Sequence, residues 1–402
     1  MAHSPADRRE NPWSVFLIFL RLGLTSFGGP IAHLGYFRDA FVTRRRWLSE
    51  RSYADLVALC QFLPGPASSQ VGIALGLSRA GYGGALAAWL GFTLPSAVLL
   101  ILLALGITRH STAIPPGALH GLKVVAVAVV AQAVWGMARN LCTDVPRVAV
   151  MLLAACLALL QTSAWGQVCV ILIAGMAGLL LFKPTPPTAH DALPVTISRR
   201  AGALWLSLFV LLLASLPILA QWLPNPTLAV TDAFYRTGAL VFGGGHVVLP
   251  LLQAEVVPRH WVSNDVFLAG YGAAQAMPGP LFTFAAFLGA SMTQAPNGWL
   301  GGLLCLLAIF TPSFLLVLGA LPFWESLRRS PRTQAALAGV NAAVVGLLLA
   351  ALYQPVWTSA IFTAQDIALA LIGLVALMVW KLPPWLVVVG SGAAGWLLSL
   401  TV

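Results

Sequence analysis

Apolar stretches separated by short polar loops run along the whole chain. Thirteen such stretches can be counted, at residues 13–42, 53–78, 81–108, 118–140, 147–163, 166–182, 200–220, 228–254, 265–292, 298–321, 333–353, 364–380 and 384–402. A helix needs only about 20 apolar residues to cross the hydrocarbon core of a bilayer. The pattern therefore predicts an all-α polytopic membrane protein.

The composition agrees with this prediction, because 59% of the 402 residues are hydrophobic, only 8% are charged and the mean hydropathy is +0.88. The formal net charge of +10 lies mainly in short loops. The preference of basic residues for the cytoplasmic side explains it without a nucleic-acid partner. The sequence contains no HExxH, GxSxG or Walker A motif, so we expect neither an enzyme nor a cofactor.

The two halves of the chain repeat one another. At an offset of 215, an arginine and a glycine cluster recur: Phe19, Arg21, Gly23, Phe27, Gly28 and Gly29 match Phe234, Arg236, Gly238, Phe242, Gly243 and Gly244. At an offset of 214, a glutamine and a Pro-Gly-Pro turn recur: Gln61, Pro64, Gly65 and Pro66 match Gln275, Pro278, Gly279 and Pro280. We expect an N-terminal repeat at 1–183, a proline-rich linker plus connecting helix at 184–227, and a C-terminal repeat at 228–402.

Each half carries two helix breaks inside apolar sequence, at 28–30 and 64–66 and then at 243–245 and 278–280. Lipid cannot satisfy the freed backbone groups, so such breaks must line protein or a water-filled cavity. A half-helix that starts after a break points its N–H groups and positive dipole end at the bilayer centre, which suits an anion. Hydroxyl donors lie beside the breaks, at Thr25, Ser26, Ser68, Ser69 and Thr283. The alternative is that the prolines only kink the helices for packing.

Arg21 and Arg236 occupy equivalent positions inside the apolar segments, where a charge is costly. Related by inverted repeats, the two arginines would grip a tetrahedral dianion, unless they snorkel or form packing salt bridges. We add further candidate ligands of the substrate that border the breaks or align between the repeats: Lys123, Asn341, Gln61, Gln275, Gly245 and His246. Several of them have an alternative role. Lys123 is equally suited to anchor the protein at the membrane interface, and the two glutamines could hydrogen-bond the carbonyls that the breaks free. His246, like His33, could be a packed histidine with no substrate contact.

The distribution of charge also bears on topology. With Arg21 and Arg236 set aside, re-entrant hairpins at the broken segments place 17 of the 22 basic residues inside and only Arg109, Lys123 and Arg259 outside. That division satisfies the positive-inside rule better than thirteen full crossings. It predicts nine crossings, a cytoplasmic N-terminus and inverted repeats around a midplane anion site. All twelve carboxylates fall in loops or near segment ends, so no buried acidic relay is expected.

The broken segments resemble the chromate transporter family. The resemblance is carried by "FLRLGLTSFGGPIAHLGYFRDAFV", "RRRWLSE" and "QFLPGPASSQVGIALG" in the first half, and by "FYRTGALVFGGGHVVLPLL" and "QAMPGP" in the second. It therefore spans nearly the whole chain. One departure is that the second half has "FGGG" where the first has "FGGP".

The resemblance implies a multi-pass protein of the bacterial inner membrane that moves chromate, usually outward so that it confers resistance. Sulfate is a look-alike substrate, because both are tetrahedral dianions. Duplicated broken helices favour alternating access. An oxyanion channel and a sulfate uptake transporter are the alternatives. The expected partners are a small oxyanion and the lipid bilayer, while the coupling ion and a homodimeric state are left open.

Overall fold

The structure, a computed structural model, describes residues 10–109, 115–161, 163–182, 197–242, 245–328 and 330–400. Every element in these ranges is helical, and they contain no strand. Five of the described helices have the length and apolar composition to cross a membrane, at Ala67–Thr108, Pro116–Leu141, Arg199–Trp222, Gly298–Phe323 and Pro331–Ala360. The prediction of an all-α polytopic membrane protein is confirmed. The proline-rich segment at 183–196 lies outside the described residues.

The first repeat begins with four short helical arms, and longer helices follow. Its helices are α1 (Pro12–Thr25), α2 (Gly29–Arg38, continued by a π-helical turn Asp39–Arg44), α3 (Glu50–Phe62), α4 (Ala67–Arg109), α5 (Pro116–Leu141), α6 (Val145–Leu160) and α7 (Ala164–Leu181). Within α4 the backbone leaves the helical region at Ala80 and Gly81. The chain turns back there, so that the backbones of Gly76 and Gly84 touch. The part of α4 before the turn is therefore a separate arm.

The second repeat follows the same order after the connecting helix α8 (Arg199–Trp222). Its helices are α9 (Pro226–Leu240), α10 (Val248–Val256), α11 (Asn264–Ala274), α12 (Phe284–Ser291), α13 (Gly298–Ala320), α14 (Trp324–Arg328), α15 (Pro331–Ala351), α16 (Thr358–Ala360), α17 (Ala364–Met378) and α18 (Pro384–Ser399). Short 3-10 turns, Gly245–Val247 and Leu281–Thr283, open the arms of α10 and α12. The arms α9 to α12 correspond to the four arms of the first repeat.

Matched serines start matched arms in the two repeats. The Ser49 hydroxyl accepts the N–H of Ser52 at the start of α3, at 3.1 Å, and the Ser263 hydroxyl accepts the N–H of Val266 at the start of α11, at 3.3 Å. A serine in this position satisfies one of the N–H groups that the first helical turn leaves unpaired. The repeated serine therefore has a local structural role.

The outer ends of the first four arms lie together. The N–H of Glu10, just before α1, donates to the Arg79 carbonyl at the turn in α4, at 3.1 Å. The Arg79 guanidinium donates to the carbonyl of Trp47, which follows the second arm, at 2.9 Å. Each pair of arms thus begins and ends on the same face of the protein.

Helix α5 and its repeat counterpart α15 each pack against the last two helices of the other repeat. Helix α5 contacts α17 and α18, and α15 contacts α6 and α7. Small residues allow the backbones to touch, because Gly121 lies against Ser391 and its repeat counterpart Gly339 lies against Ala174. The two repeats are therefore interlocked rather than placed side by side.

A reciprocal pair of backbone hydrogen bonds joins the breaks of the two repeats. The N–H of Gly65 donates to the Val241 carbonyl at 2.7 Å, and the N–H of Gly279 donates to the Ser26 carbonyl at 2.9 Å. Gly65 and Gly279 are equivalent in the repeats, and so are Ser26 and Val241. Each Pro-Gly-Pro turn therefore donates a hydrogen bond to a backbone carbonyl of the other repeat. That carbonyl lies where the helix before the first break ends and has no donor partner within its own helix.

Glycine is required at these turns for two separable reasons. Gly65 has φ +121°, and a Cβ added there would lie 2.7 Å from Gln70 Nε2 and 2.8 Å from Ser313 Oγ. Gly81 has φ +61° with nothing within 4 Å of its Cβ position, and Gly106 has open space within a regular helix. Substitution of Gly65 would meet both backbone strain and close contacts, substitution of Gly81 only strain, and substitution of Gly106 neither.

We expect Gly65→Ala to lower the free energy of unfolding most, by about 2–4 kcal/mol, because strain and overpacking add. Gly81→Ala should cost only the strain, about 1–3 kcal/mol, and Gly106→Ala should not destabilise the protein. Thermal unfolding of the purified variants in one detergent ranks the three. Equal midpoints for Gly65→Ala and Gly106→Ala would show that the crossing of the breaks tolerates a side chain.

Candidate functional site

A cavity of about 600 Å³ lies where the breaks of the two repeats meet. It extends from the breaks toward the end of α5. The described residues that line it are Gly28, Leu34, Cys60, Gln61, Leu63, Gly65, Ala67, Gln132, Ala133, Gly136, Met137, Asn140, Leu141, Gly245, His246 and Asn341. Both repeats therefore contribute to one wall.

The cavity brings together several residues that the sequence singles out as substrate ligands. They come from four separate elements of the two repeats and are Gly28, Gln61, Gly65, Gly245, His246 and Asn341. Gln132 and Asn140 were missed, because α5 carries them without a break or a repeat match. The only indication of them in the sequence is that they are polar residues in an otherwise apolar helix.

The first break forms because α1 ends at Thr25 and two glycines, Gly28 and Gly29, then take positive φ. Gly28 has φ +99° and Gly29 has φ +77°, and α2 starts at Gly29. The hydroxyl of Thr25 donates back to the Arg21 carbonyl at 2.8 Å, so it caps its own helix. The hydroxyl of Ser26 is buried and has no hydrogen-bond partner among the described residues.

At the first Pro-Gly-Pro turn, the Gln70 side chain donates to the Pro64 carbonyl at 2.7 Å. Gln70 thus satisfies a carbonyl that the break frees, a role that the sequence also left open for Gln61. Gln61 lines the cavity instead. Ser68 and Ser69 lie in the first turn after Pro66 and are both buried. The Ser68 hydroxyl lies 3.4 Å from His33 Nδ1, and the Ser69 hydroxyl has no partner among the described residues.

The second Pro-Gly-Pro turn, Pro278 to Pro280, is fully buried. The Thr283 hydroxyl donates to the Pro280 carbonyl at 2.7 Å, so it closes the turn. Gln275 is half-buried, and its side-chain nitrogen has no partner among the described residues. Neither Thr283 nor Gln275 lines the cavity that is open in this structure.

The glycines of both Pro-Gly-Pro turns donate their N–H groups to protein carbonyls, as described above. These two N–H groups therefore already have protein acceptors in this structure. The remaining backbone donors belong to the first turn of each arm, which has no intrahelical acceptor. Gly243 and Gly244, also predicted ligands, lie outside the described residues.

His246 reaches from the second break toward the first. Its Nδ1 lies 2.9 Å from the Tyr271 hydroxyl. Its Nε2 lies 4.0 Å from the position that a Cβ on Gly29 would occupy. The imidazole therefore faces the first break across the repeat boundary.

The two matched arginines do not form a pair at the cavity. The Arg236 guanidinium is buried, donates to Asp232 Oδ2 at 2.7 Å and forms a second ion pair with Glu255. Its carbon lies 4.8 Å from the centre of the Trp165 ring. Arg21 is exposed on α1, and within the described part of the chain it makes no ion pair. Neither arginine lines the cavity.

Four carboxylates that lie in loops or near segment ends in the sequence are nonetheless buried. Asp55, Asp232, Glu255 and Asp366 are each less than 7% exposed. Asp232 and Glu255 neutralise Arg236, and Glu255 also pairs with Arg259 at 3.0 Å. Asp232 and Glu255 lie near segment ends in sequence, but their side chains pack inward from α9 and α10 onto Arg236.

Lys123 forms an ion pair with the second repeat. Its Nζ pairs with Asp265 Oδ1 at 2.9 Å, and one turn earlier His120 Nε2 lies 2.6 Å from Asp366 Oδ1. Both contacts join the start of α5 to the second repeat. Asn341, the repeat counterpart of Lys123, lines the cavity, but Lys123 does not.

Among its described residues the cavity wall has no fixed charge, and it combines polar groups with apolar side chains such as Leu34 and Met137. It offers the side-chain amides of Gln61, Gln132, Asn140 and Asn341, together with the His246 imidazole. Amide N–H₂ groups and helix N-termini donate hydrogen bonds without carrying a full charge. Such a wall binds a hydrogen-bond acceptor and releases it more readily than a fixed cation would.

Two interlocked repeats of broken helices around a polar cavity define a polytopic membrane transport protein. The chain belongs to the chromate transporter family, whose family model matches residues 13–179 and 228–396. The two matches show the repeat that the offsets in the sequence predict.

Named relatives agree with this assignment. A chromate transport protein of Pseudomonas aeruginosa is 28% identical over 95% of this chain and 91% of its own length. A probable chromate transport protein of Synechococcus elongatus is 28% identical over 94% of this chain and 93% of its own length. An uncharacterised transporter of Bacillus subtilis is 32% identical over 40% of this chain and 89% of its own length, so it is about one repeat long. No solved structure matches the chain.

The different surroundings of the two arginines give a test. Arg236→Gln should lower the free energy of unfolding by about 3–5 kcal/mol, because it leaves buried carboxylates without their partner. Arg21→Gln is the matched control and should change it by less than about 1 kcal/mol, since Arg21 is exposed. Thermal unfolding in detergent compares them. Equal destabilisation by the two substitutions would contradict the ion-pair assignment.

Proposed function

We propose that the protein carries chromate across the inner membrane of a bacterium and binds it in the cavity between the breaks. The observation that carries the proposal is that break residues of both repeats and four side-chain amides converge on one uncharged polar cavity. The arms that begin at Ala67 and Gly245 point their N-terminal ends toward it. Helix N-termini attract oxyanions through free N–H groups and the positive end of the dipole.

Buried donors beside the cavity support an oxyanion ligand. Ser26 and Ser69 are at most 2% exposed, and their hydroxyls have no partner among the described residues. Buried polar groups in proteins nearly always have a hydrogen-bond partner. An oxyanion, or water between transport events, supplies that partner at a junction that protein groups alone leave unsatisfied.

The re-entrant topology is part of the proposal. The contacts among Glu10, Trp47 and Arg79 support it, because they place the outer ends of the first arms on one face. On the opposite face, Lys123 and Asp265 join the start of α5 to the start of α11. With the N-terminus in the cytoplasm, the first repeat's hairpins enter from inside and the second repeat's from outside. Nine helices then cross.

Alternating access is supported by a difference between equivalent positions. Ala133 lines the cavity, but its counterpart Ala351 is 3% exposed. Leu34 also lines the cavity and is half-buried, whereas its counterpart Leu249 is 0% exposed. The inner half of the path is thus open while the matching outer half is packed. If the second repeat adopted the open arrangement and the first repeat the packed one, the cavity would open toward the other side of the membrane.

The proposed direction is outward. A dianion that leaves a negative-inside cell gains about 4.6 kcal/mol per 100 mV, twice the value for a single charge. Export therefore requires no buried proton relay. Sulfate has the same charge and shape, so we expect it to compete for the same donors.

Transport in proteoliposomes tests the proposal. Labelled chromate should exchange against unlabelled chromate, and sulfate should inhibit that exchange. Gln61→Ala and Asn341→Ala should each raise the half-saturating concentration at least tenfold, since a hydrogen bond to a charged group contributes about 1.5–3 kcal/mol. Gln161→Ala, an exposed glutamine outside the cavity, is the control. Chromate-dependent current without counterflow would identify a channel instead.

Cysteine accessibility tests alternation directly. In a variant without the native cysteines, Ala133→Cys should react with a membrane-impermeant maleimide from inside, and Ala351→Cys should not react in the resting protein. Addition of chromate should make Ala351→Cys reactive from outside while Ala133→Cys becomes protected. Simultaneous reaction of each site from both sides would exclude alternating access.

A further inference from the structure

His246 and Tyr271, both in the second repeat, form a polar pair at the cavity. His246 is half-buried in the cavity wall, and its Nδ1 lies 2.9 Å from the Tyr271 hydroxyl. Tyr271 is 0% exposed, and its ring packs edge-on against Phe284 with 5.7 Å between centroids. The tyrosine is therefore a rigid support, and it fixes the plane of the imidazole.

The support leaves one imidazole nitrogen for the cavity. With Nδ1 occupied by Tyr271, Nε2 points toward Gly29 at the start of α2. A hydroxyl both donates and accepts, so Tyr271 serves the neutral and the protonated ring alike. On protonation, Nδ1–H donates to the tyrosine oxygen and Nε2–H donates into the cavity.

No other described residue of the wall is able to gain a positive charge. Around His246 the neighbouring elements present Gln61 and Cys60 from α3, Asn341 from α15 and Tyr271 from α11. Cys60 and Tyr271 are titratable, but only toward negative charge. The adjacent 3-10 turn Leu281–Thr283 presents no ionisable side chain, and the histidine near the start of α2, His33, lies beside Ser68 instead.

We propose that the oxyanion binds together with one proton on His246, and that Tyr271 is the residue that positions this imidazole. The proposal rests on the oxyanion site described above. The proton comes from solvent, no covalent bond changes, and the bound dianion and imidazolium together carry one negative charge. A dianion in an otherwise uncharged cavity favours that protonation, because opposite charges stabilise each other strongly away from bulk water.

The pair belongs to the second repeat alone. The positions equivalent to His246 and Tyr271 are Ile31 and Val57. His33, two residues further on, lies beside Ser68 instead and is 1% exposed. The protein therefore has one such proton site and not one per repeat. It lies where the first break of one repeat faces the first break of the other.

Calorimetry of chromate binding tests the proposal, in buffers of different ionisation enthalpy between about pH 7 and 8.5, where chromate is mainly the dianion and histidine still titrates. Linkage predicts that chromate affinity falls with rising pH, by up to about tenfold per pH unit, with uptake of up to one proton per ion bound. His246→Gln should bind chromate more weakly and without pH dependence. His260→Asn, an exposed loop substitution at positive φ, should behave like the wild type.

Tyr271→Phe separates positioning from charge. It keeps the packed ring but removes the hydroxyl, so it should fold and bind more weakly, and its proton uptake should be smaller than that of the wild type. The proposal is overturned if His246→Gln keeps the wild-type pH slope, or if Tyr271→Phe leaves both affinity and slope unchanged. Absence of chromate binding to the wild type at every pH would instead overturn the proposed function.

Discussion

The fold depends on the reciprocal hydrogen bonds between each Pro-Gly-Pro turn and the other repeat's first break. A helix broken inside a bilayer exposes backbone groups that lipid cannot satisfy. Here the N–H of Gly65 binds the Val241 carbonyl and the N–H of Gly279 binds the Ser26 carbonyl. Each repeat thus completes the other, and neither set of broken arms is satisfied alone.

Sequence duplication does not make the two halves equivalent in this structure. Arg236 is buried between Asp232 and Glu255, whereas Arg21 is exposed, because the first repeat has Leu17 and Ala40 at the positions of the two carboxylates. The second hairpin is therefore tied together by ion pairs that the first lacks. The cavity is asymmetric as well, open toward the end of α5 and packed at the matching positions of the second repeat. This asymmetry is what a transporter captured on one side of its cycle would show.

Pattern and repetition predicted the helical fold, the repeats and the position of the breaks, because glycine and proline act locally on the backbone. They also identified Gln61, His246 and Asn341 as residues near one site. The partners of the charged groups were not predictable, since nothing local indicates that Asp232 and Glu255 converge on Arg236. Nor did anything local indicate that the glycine N–H groups of the Pro-Gly-Pro turns donate to carbonyls of the other repeat. Tertiary partners decided each of these cases.

The central claim is that an oxyanion binds between the two first breaks, among neutral donors and one histidine. Anomalous diffraction at the chromium edge from crystals of the protein soaked with chromate tests it most directly, because the metal position identifies the site without interpretation of side-chain density. The account predicts a peak within hydrogen-bonded reach of Gln61, His246 and Asn341. A peak beside Arg21 or Arg236, with none in the cavity, would contradict it.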